Sequence, residues 1–355
     1  MNIFANHHIE VNYTALCTQG GRNVAADGLV AHKIAGIVAP MIVGVPDHQA
    51  LRDTAIGWMN LAWDTAIEEA QGFQDVEDLY DDIEQEHGAD VAQTAIAKHW
   101  RAKQLTLNNA FSLLQQSLEI ALKAKIAEVS PFLLIAGDPR TWPKPKDGSN
   151  CIDFSNFRTI DAVQLCGAAN AVSAAPLSKD FTEFYDRLRQ SRNKIAHLNA
   201  SAIIIEVKSL LLDILAAQKH LFPDVRWTTF RNEYLRSTEQ YHDKDNLISG
   251  DDYTPDVMTS EVKTALQALD SDHLKEFFFF DDSKRAYRCP HCLAGRNQSD
   301  DEREFVQFAG PNNMQCIVCL SSYSVADYKQ AIIDYFGYLD PKDQNDIKKQ
   351  LDEIS

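Results

Sequence analysis

Apolar residues repeat with a helical period through the middle of the chain. In the segment from Ala92 to Val129, apolar side chains recur every three or four residues and form one stripe of a helix. Pro131 ends the pattern, since proline removes a backbone donor and clashes with the preceding turn. The segment therefore predicts one long amphipathic helix, whose stripe is Leu107, Phe111, Leu114, Leu118, Leu122, Ile126 and Val129.

Three further helices are predicted before Pro223. A loop rich in Pro and Gly over residues 137–149 separates them from the long helix. Four helices between residues 92 and 222 predict a helical-bundle domain. The three later helices are expected over residues 159–172, 179–199 and 201–221.

Residues 1–91 are expected to form a mixed and acidic N-terminal region. The segment IAGIVAPMIVGV at residues 34–45 indicates one or two short buried strands, and the pattern becomes helical from Asp47. Acidic residues crowd the stretch 64–90. A metal loop is one interpretation, but the Gly and the fixed oxygen spacing of such loops are missing. We therefore expect a solvated helix face or a surface for a basic partner.

Residues 223–283 are polar and acidic, and we expect a helical bridge there rather than a core. The bridge ends close to four consecutive phenylalanines, Phe277–Phe280, with acidic residues on both sides. We interpret them as a short buried strand with acidic gatekeepers. A docking patch for a partner is the alternative.

Four of the seven cysteines form two C-x-x-C pairs, Cys289 with Cys292 and Cys316 with Cys319, and 23 residues separate the pairs. Two such turns can direct four thiolates at one tetrahedral Zn²⁺, whereas a redox pair does not explain why there are two pairs. We predict a zinc ribbon with C-terminal helices over residues 284–355. Four thiolates leave no open position, so the zinc should be structural, and no catalytic metal is expected. The turn of each pair is here called a knuckle, the first being residues 289–292 and the second residues 316–319. His291 should be exposed on the first knuckle. The ribbon could bind nucleic acid or protein.

Charge restricts the nucleic-acid partners of this chain. Its 355 residues include 34 basic and 51 acidic ones, for a formal net charge of −17. The average surface should repel nucleic acid, so any such role requires a local basic site. The cysteine count does not indicate a secreted disulfide scaffold, the first residues lack a signal peptide, and the longest apolar stretch is too short to span a bilayer. We expect a cytoplasmic protein that does not contact membranes.

A local basic site occurs in the stretch YDRLRQSRNKIAH. Four positive charges without an intervening acid are gathered there, at Arg187, Arg189, Arg192 and Lys194. Helical spacing is expected to place Arg192, Asn193 and His197 on one face. An arginine holds phosphate in a bidentate fork, and a histidine can take the proton of a ribose 2′-hydroxyl near neutral pH. The combination favours metal-free RNA cleavage.

The Arg-Asn-x-x-x-His element resembles the signature of the HEPN superfamily, in which Arg precedes His by four to six residues and is often followed by Asn, Asp or His. Two other formal matches, Arg236 to His242 and Arg285 to His291, lack such a second residue. The long helix with the pattern LLQQSLEIALKAKIAEVSPFLL is similar to the first helix of the family, and the resemblance covers about residues 92–222.

The resemblance implies a mainly α fold with a HEPN-like four-helix bundle, to which the zinc ribbon and the acidic N-terminal region are added. It implies Arg192, Asn193 and His197 as catalytic residues, and we expect Arg187, Arg189 and Lys194 to contact RNA. The implied activity is an endoribonuclease, a toxin or anti-phage effector, acting on tRNA or mRNA. The implied assembly is a homodimer with a composite site, regulated by an antitoxin or a sensor partner.

Two observations keep a second hypothesis open. Family members that a nucleotidyltransferase antitoxin neutralises carry Tyr two residues after the His, and here that position is Asn199. Arg192 could also simply pair with Asp186 or Glu183, and His197 could be a satisfied buried histidine. The alternative is a non-catalytic adaptor or dimerisation protein whose ribbon binds a protein or nucleic acid. A DNA-binding regulator is a weaker third hypothesis, since the chain is acidic and lacks a basic helix stripe.

Overall fold

The helical character predicted from the sequence is confirmed by the computed structural model, which describes residues 33–34, 37–38, 40–146, 150–198, 203–238, 254–294, 304–336, 349, 351 and 354. The α-helices of this part of the chain are α1 (His48–Gln74), α2 (Glu77–His87), α3 (Ala89–Val129), α4 (Leu165–Val172), α5 (Lys179–Leu198), α6 (Val207–Leu221), α7 (Trp227–Ser237), α8 (Thr254–Ala268), α9 (Ser271–His273), α10 (Pro290–Ala294) and α11 (Val325–Phe336). Short 3₁₀ turns cover Pro131–Leu134, Pro139–Thr141, Phe154–Asn156 and Ala162–Gln164.

The strands form three small sheets. An antiparallel pair joins β1 (Lys33–Ile34) to β2 (Ile37–Val38), and a parallel pair joins β3 (Met41–Val43) to β4 (Cys151–Asp153). The third sheet is the small antiparallel sheet expected of a ribbon, with the order β5-β6-β7-β8. Its strands are β5 (Tyr287–Arg288), β6 (Glu304–Gly310), β7 (Asn313–Cys316) and β8 (Ser322–Tyr323). The expectation of buried N-terminal strands is wrong for β3, where Met41 is exposed and its neighbours are half-buried.

The chain divides into two compact units. The first contains residues 1–59 and 112–203, and the second contains residues 60–111 and 204–355. Both long helices, α1 and α3, therefore contribute residues to each unit. The four segments expected from the sequence, 1–91, 92–222, 223–283 and 284–355, stay a prediction. Among the described residues, no helix combines the length and the apolar character that a bilayer crossing requires.

In the first unit, the second half of α3 provides the central apolar stripe. Leu114, Leu118, Leu122 and Ile126 are all fully buried, as the helical period predicts. Ser117 Oγ donates a hydrogen bond of 2.7 Å to the carbonyl oxygen of residue 55 in α1, so polar contacts also join these helices. The stripe ends earlier than expected, because Val129 is the last helical residue and is 58% exposed.

In the second unit, the segment expected to be a polar bridge supplies core residues. Trp227, Phe230 and Leu235 of α7 are buried, and the ring of Trp227 lies 4.4 Å from that of Trp63 in α1. The expectation of a bridge without a core is therefore wrong. It failed because few apolar residues occur there, but they are large and share one side of α7. By contrast, α2 has no buried residue, so the part of the acidic stretch 64–90 that lies on α2 faces solvent as expected. The expectation is wrong for Asp64 and Glu69 of α1, which are half-buried and buried.

The four phenylalanines do not form a strand. Leu274–Phe278 is a π-helical turn, and Phe279 follows it in the left-handed conformation with φ of 57°. Phe278 and Phe280 are buried while Phe279 is 58% exposed. The alternation of burial resembles that of a half-buried strand, which is why the sequence pattern misled the prediction.

Candidate metal centre and candidate active-site helix

The four cysteines of the two C-x-x-C pairs come together at one end of the ribbon sheet. Cys289 follows β5 and Cys292 lies in α10, while Cys316 ends β7 and Cys319 lies in the turn before β8. All four sulfurs are within 4.8 Å of one another. The turn after the second pair is closed by Leu320 with a positive φ of 63°, a conformation that costs energy for any residue except glycine.

The distances between the sulfurs fit a tetrahedral metal ion. Cys289 Sγ lies 3.5 Å from Cys319 Sγ, and Cys292 Sγ lies 3.8 Å from Cys316 Sγ. A tetrahedron of thiolates around zinc, with Zn–S bonds of about 2.3 Å, has edges of about 3.8 Å. The four cysteines can therefore hold a metal ion, as the spacing predicted.

Neighbouring groups support the ligands. The backbone N–H of Val318 donates to Cys316 Sγ at 3.4 Å, and the hydroxyl of Ser321 lies 3.3 Å from Cys319 Sγ. The hydroxyl of Tyr323 lies 3.7 Å from Cys289 Sγ. Such contacts orient ligands and stabilise the charge of thiolates. Three of the four cysteines are buried, and Cys319 is half-buried.

The thiols of the cluster influence one another. A hydrogen bond from Cys292 lowers the pKa of Cys289, and one from Cys289 lowers the pKa of Cys319. The contact with Cys289 raises the pKa of Cys292. A bound dication would deprotonate all four, since a coordinating thiol loses its proton. His291 is exposed on the first knuckle, as expected.

The basic residues expected to act on RNA lie on α5. The helix is held by Phe181, Tyr185 and Leu188, which are buried. The hydroxyl of Tyr185 donates to the carbonyl oxygen of residue 162 at 2.9 Å, and burial raises the pKa of this phenol. Burial also raises the pKa of the nearby Cys166 thiol to about 11. The inner face of α5 is thus apolar and fixed.

The charged residues on α5 are of two kinds. Arg189 is 19% exposed in its side chain and pairs with Asp186 at 3.1 Å, while Lys179 pairs with Glu183 at 3.2 Å. Both carboxylates that could have held Arg192 therefore have other partners. Arg192 is half-buried and, within the described part of the chain, makes no ion pair.

The remaining basic residues of α5 face solvent. Arg187 is exposed and its guanidinium lies 5.2 Å from the ring centroid of Phe184, while Lys194 is exposed one residue after the half-buried Asn193. These residues, together with Arg192, place positive charge along α5 at the positions that the sequence indicated.

One helix carries Arg192, Asn193 and His197, but it does not place all three on the same face. Consecutive residues of an α-helix are about 100° apart, so Asn193 and His197 are separated by about 40° and Arg192 and His197 by about 140°. The expectation of a shared face holds only for Asn193 and His197. The side chain of His197 lies outside the described part of the structure.

The two competing matches to the Arg and His spacing do not form a comparable helix. Arg285 precedes β5 and His291 belongs to α10, so no single helix joins them. Arg236 lies in the last turn of α7, and His242 lies outside the described residues.

Sequence reasoning missed a buried polar network in the second unit. Arg231 of α7 is completely buried, and its guanidinium donates to Glu261 twice, at 2.7 and 3.0 Å, and to Asn60 at 3.0 Å. It also pairs with Asp64, whose pKa is raised by burial. The indole N–H of Trp63 donates to Glu261 at 2.8 Å. The hydrogen bonds here join residues 30 to 198 positions apart, and no local pattern could have indicated them.

No family model, no curated protein and no solved structure matches this chain.

Proposed function

We propose that this protein is a metal-independent endoribonuclease of the HEPN type and acts as a toxin or an anti-phage effector. The observation that carries the proposal is the uninterrupted helix α5, in which Arg192 makes no ion pair with the described residues and is followed by Asn193, one turn before His197. In a chain with a net charge of −17, an arginine that no carboxylate of the described residues neutralises is a candidate phosphate ligand.

In this mechanism His197 acts as the general base and Arg192 holds the phosphate. The imidazole takes the proton of the ribose 2′-hydroxyl, and the 2′-oxygen then attacks the adjacent phosphorus. The bond from phosphorus to the 5′-oxygen breaks, this oxygen receives a proton from water, and the His197 imidazolium returns its proton to the resulting hydroxide. The products are a 2′,3′-cyclic phosphate and a 5′-hydroxyl. Arg192 stabilises the charge that develops on the phosphorane, and Asn193 positions the substrate.

The proposal includes a homodimer with a composite site. Since Arg192 and His197 point about 140° apart on one helix, residues from two copies can surround a phosphate more readily than those from one. The end of α3 in the first unit exposes a run of apolar side chains that suits a partner surface, namely Val129, Phe132 and Leu133. An antitoxin or sensor partner would regulate the dimer.

The ribbon holds structural zinc in this proposal. Four buried or half-buried thiolates complete a tetrahedral shell, and such a site contributes to folding rather than to the reaction. Elemental analysis should find about one zinc per chain, and a chain with Cys292→Ser should lose it. A wild-type chain that carries no zinc and keeps its thermal stability would contradict this role.

The experiment that tests the activity is the mapping of cellular RNA ends after expression. Wild type should yield 2′,3′-cyclic phosphate ends and 5′-hydroxyl ends on tRNA or mRNA without added Mg²⁺. Arg192→Ala and His197→Ala should each abolish these ends. Arg101→Ala and His87→Ala, which change exposed residues on other helices, should leave the ends unchanged. Cleavage that survives both active-site changes rejects the proposal.

A mixing experiment tests the composite site. If Arg192 of one copy acts with His197 of the other, co-expression of the two inactive variants creates heterodimers in which one of the two sites is intact. Part of the activity should return in the mixture. A site built within one copy would show no recovery. An inactive wild type that still forms dimers would favour the adaptor hypothesis.

A further inference from the structure

A cleft lies between α7 and the metal knuckles in the second unit. Thr229, Asn232, Glu233 and Arg236 line one side of it. Their spacing of three and four residues places them on one face of α7. The opposite wall comes from His291 of the first knuckle and from residues 318–320 at the second knuckle. Polar groups of α7 therefore face the turns that hold the metal ligands.

The cleft combines donors with an acceptor. The Nε–H of Arg236 donates to Asn232 Oδ1 at 2.7 Å, which directs the guanidinium along the cleft wall. The His291 imidazole supplies at least one N–H in either protonation state. A guanidinium and an imidazole that line the same cleft can both donate to a phosphate group. These two residues disfavour a cationic ligand.

Glu233 provides the hydrogen-bond acceptor of the cleft. One of its carboxyl oxygens, Oε2, is buried and has no hydrogen-bond partner among the described residues. Burial also raises the pKa of this carboxyl. An acceptor that is withdrawn from water without a partner costs free energy, and a ligand that donates to it would recover that cost. Leu320, in its unfavourable left-handed conformation, lines the cleft opposite.

The size of the cleft limits the ligand. Its volume is about 210 Å³, below the range of about 300–1,000 Å³ that is typical of whole cofactors or drug-sized ligands. One nucleotide that is only partly enclosed fits such a space. Val318 and Leu320 offer apolar surface to the face of a base, and Arg236 offers a positive charge to its phosphate.

We propose that this cleft binds one unpaired guanine nucleotide of the RNA, with the base edge on Glu233 and the phosphate on Arg236 and His291. Guanine is the RNA base whose Watson–Crick edge presents two N–H donors side by side, and a carboxylate accepts both. The inference rests on RNA as the substrate and names a second contact, outside helix α5, that selects where the RNA lies.

Calorimetric titration of the zinc-loaded full chain with 5′-GMP, 5′-AMP, 5′-UMP and 5′-CMP tests the proposal. GMP should bind about fivefold more tightly than AMP, or better, because one matched pair of hydrogen bonds discriminates bases by at least that factor. Glu233→Gln should remove the preference, while Arg236→Ala should weaken binding of all four nucleotides. The matched controls Glu77→Gln and Arg101→Ala change exposed residues of α2 and α3 and should alter nothing.

Several results would overturn the cleft proposal. The first is equal binding of the four nucleotides, and the second is binding that neither cleft variant changes. The third is binding of a cationic ligand, an arginine peptide with blocked termini, by a cleft that does not bind GMP. Should Glu233→Gln fail to fold, the comparison of the four nucleotides on wild type still decides the guanine preference, and Arg236→Ala, a change at an exposed residue, decides the phosphate contact. Nucleotide binding is measured without cleavage and should persist in Arg192→Ala. A selective cleft in a chain that cleaves no RNA therefore rejects only the nuclease, whereas an active nuclease without the selectivity rejects only the cleft.

Discussion

Two helices of this protein carry arginines in opposite environments. In α7 the guanidinium of Arg231 is fully buried, and two carboxylates and an amide occupy its donors. In α5 Arg192 is half-buried and pairs with no carboxylate of the described residues. One type of side chain therefore has two roles: Arg231 is a structural element of the second unit, and Arg192 is a candidate ligand for phosphate in the first. The two roles differ in whether carboxylates neutralise the guanidinium, and the local sequence does not distinguish them.

The largest effect on stability is expected for Arg231→Ala. The change leaves Glu261 buried and Asp64 partly buried without their cation, and breaking such a buried pair costs about 3–5 kcal/mol. Urea denaturation should show this loss in the free energy of unfolding. Arg192→Ala should stay within about 0.5 kcal/mol of wild type, as surface substitutions do. Equal losses for the two variants would remove the distinction between the helices.

A smaller loss is expected for Trp63→Phe. The indole N–H donates to Oε2 of Glu261, the partner of Arg231, and a hydrogen bond within such an ion pair contributes about 1.5–3 kcal/mol. Thermal melting should show the decrease. If Trp63→Phe and Arg231→Ala act through the same carboxylate, the double variant should lose less than the sum of the two single losses. Additive losses would show that the network does not act as a unit.

Alkaline pH should lower the free energy of unfolding through the phenol of Tyr185 in α5. Burial raises the pKa of this phenol above its usual value of about 10, so the unfolded chain loses its proton before the folded one. Stability from this group is complete below about pH 10 and falls as the pH rises further.

Comparison with Tyr185→Phe tests this assignment. The variant should lose about 1 kcal/mol at pH 7 through its missing hydrogen bond and should decline less steeply above about pH 10. Other tyrosines, such as Tyr328, whose pKa burial also raises, contribute the same decline to both chains. Identical slopes for the two chains would refute the role of Tyr185.

The smallest effect is expected for Asp186→Asn. The ion pair of Asp186 with Arg189 lies near the surface, where such pairs contribute only about 0.2–1 kcal/mol. Because salt screens exposed charges, the difference from wild type should shrink at 1 M NaCl. A loss comparable to that of Arg231→Ala would mean that α5 also depends on neutralised arginines.

Sequence patterns predicted those features that repeat at short range. The period of three to four residues identified α3, and the two C-x-x-C pairs identified the cysteine cluster, because the spacing of each feature reflects its local geometry. The pattern around Phe277–Phe280 led to the wrong prediction of a strand, because burial alternates there at the end of a π-helical turn as it would on a strand. The network of Arg231 could not be predicted, because its partners come from distant helices.

The candidate active site was predicted only in part. The helix was predicted correctly, since Arg192 and Asn193 lie on α5, whereas the role of these residues stays a prediction. The partners of the surrounding charges were not predictable, because Arg189 rather than Arg192 takes Asp186. Helical spacing allows both pairings, and the packing of α5 decides between them. The cleft beside α7 was missed for a similar reason, since its walls are far apart in sequence.

The course of the chain through the two units has a consequence for how this protein could have evolved. The chain passes from one unit to the other at residues 59–60, 111–112 and 203–204, and the first two positions lie inside α1 and α3. Recombination that exchanged one unit for that of another protein would have to rejoin two helices in phase. The same constraint applies to protein engineering, where neither unit can be obtained by a single truncation of the gene. The two units are thus expected to be inherited together.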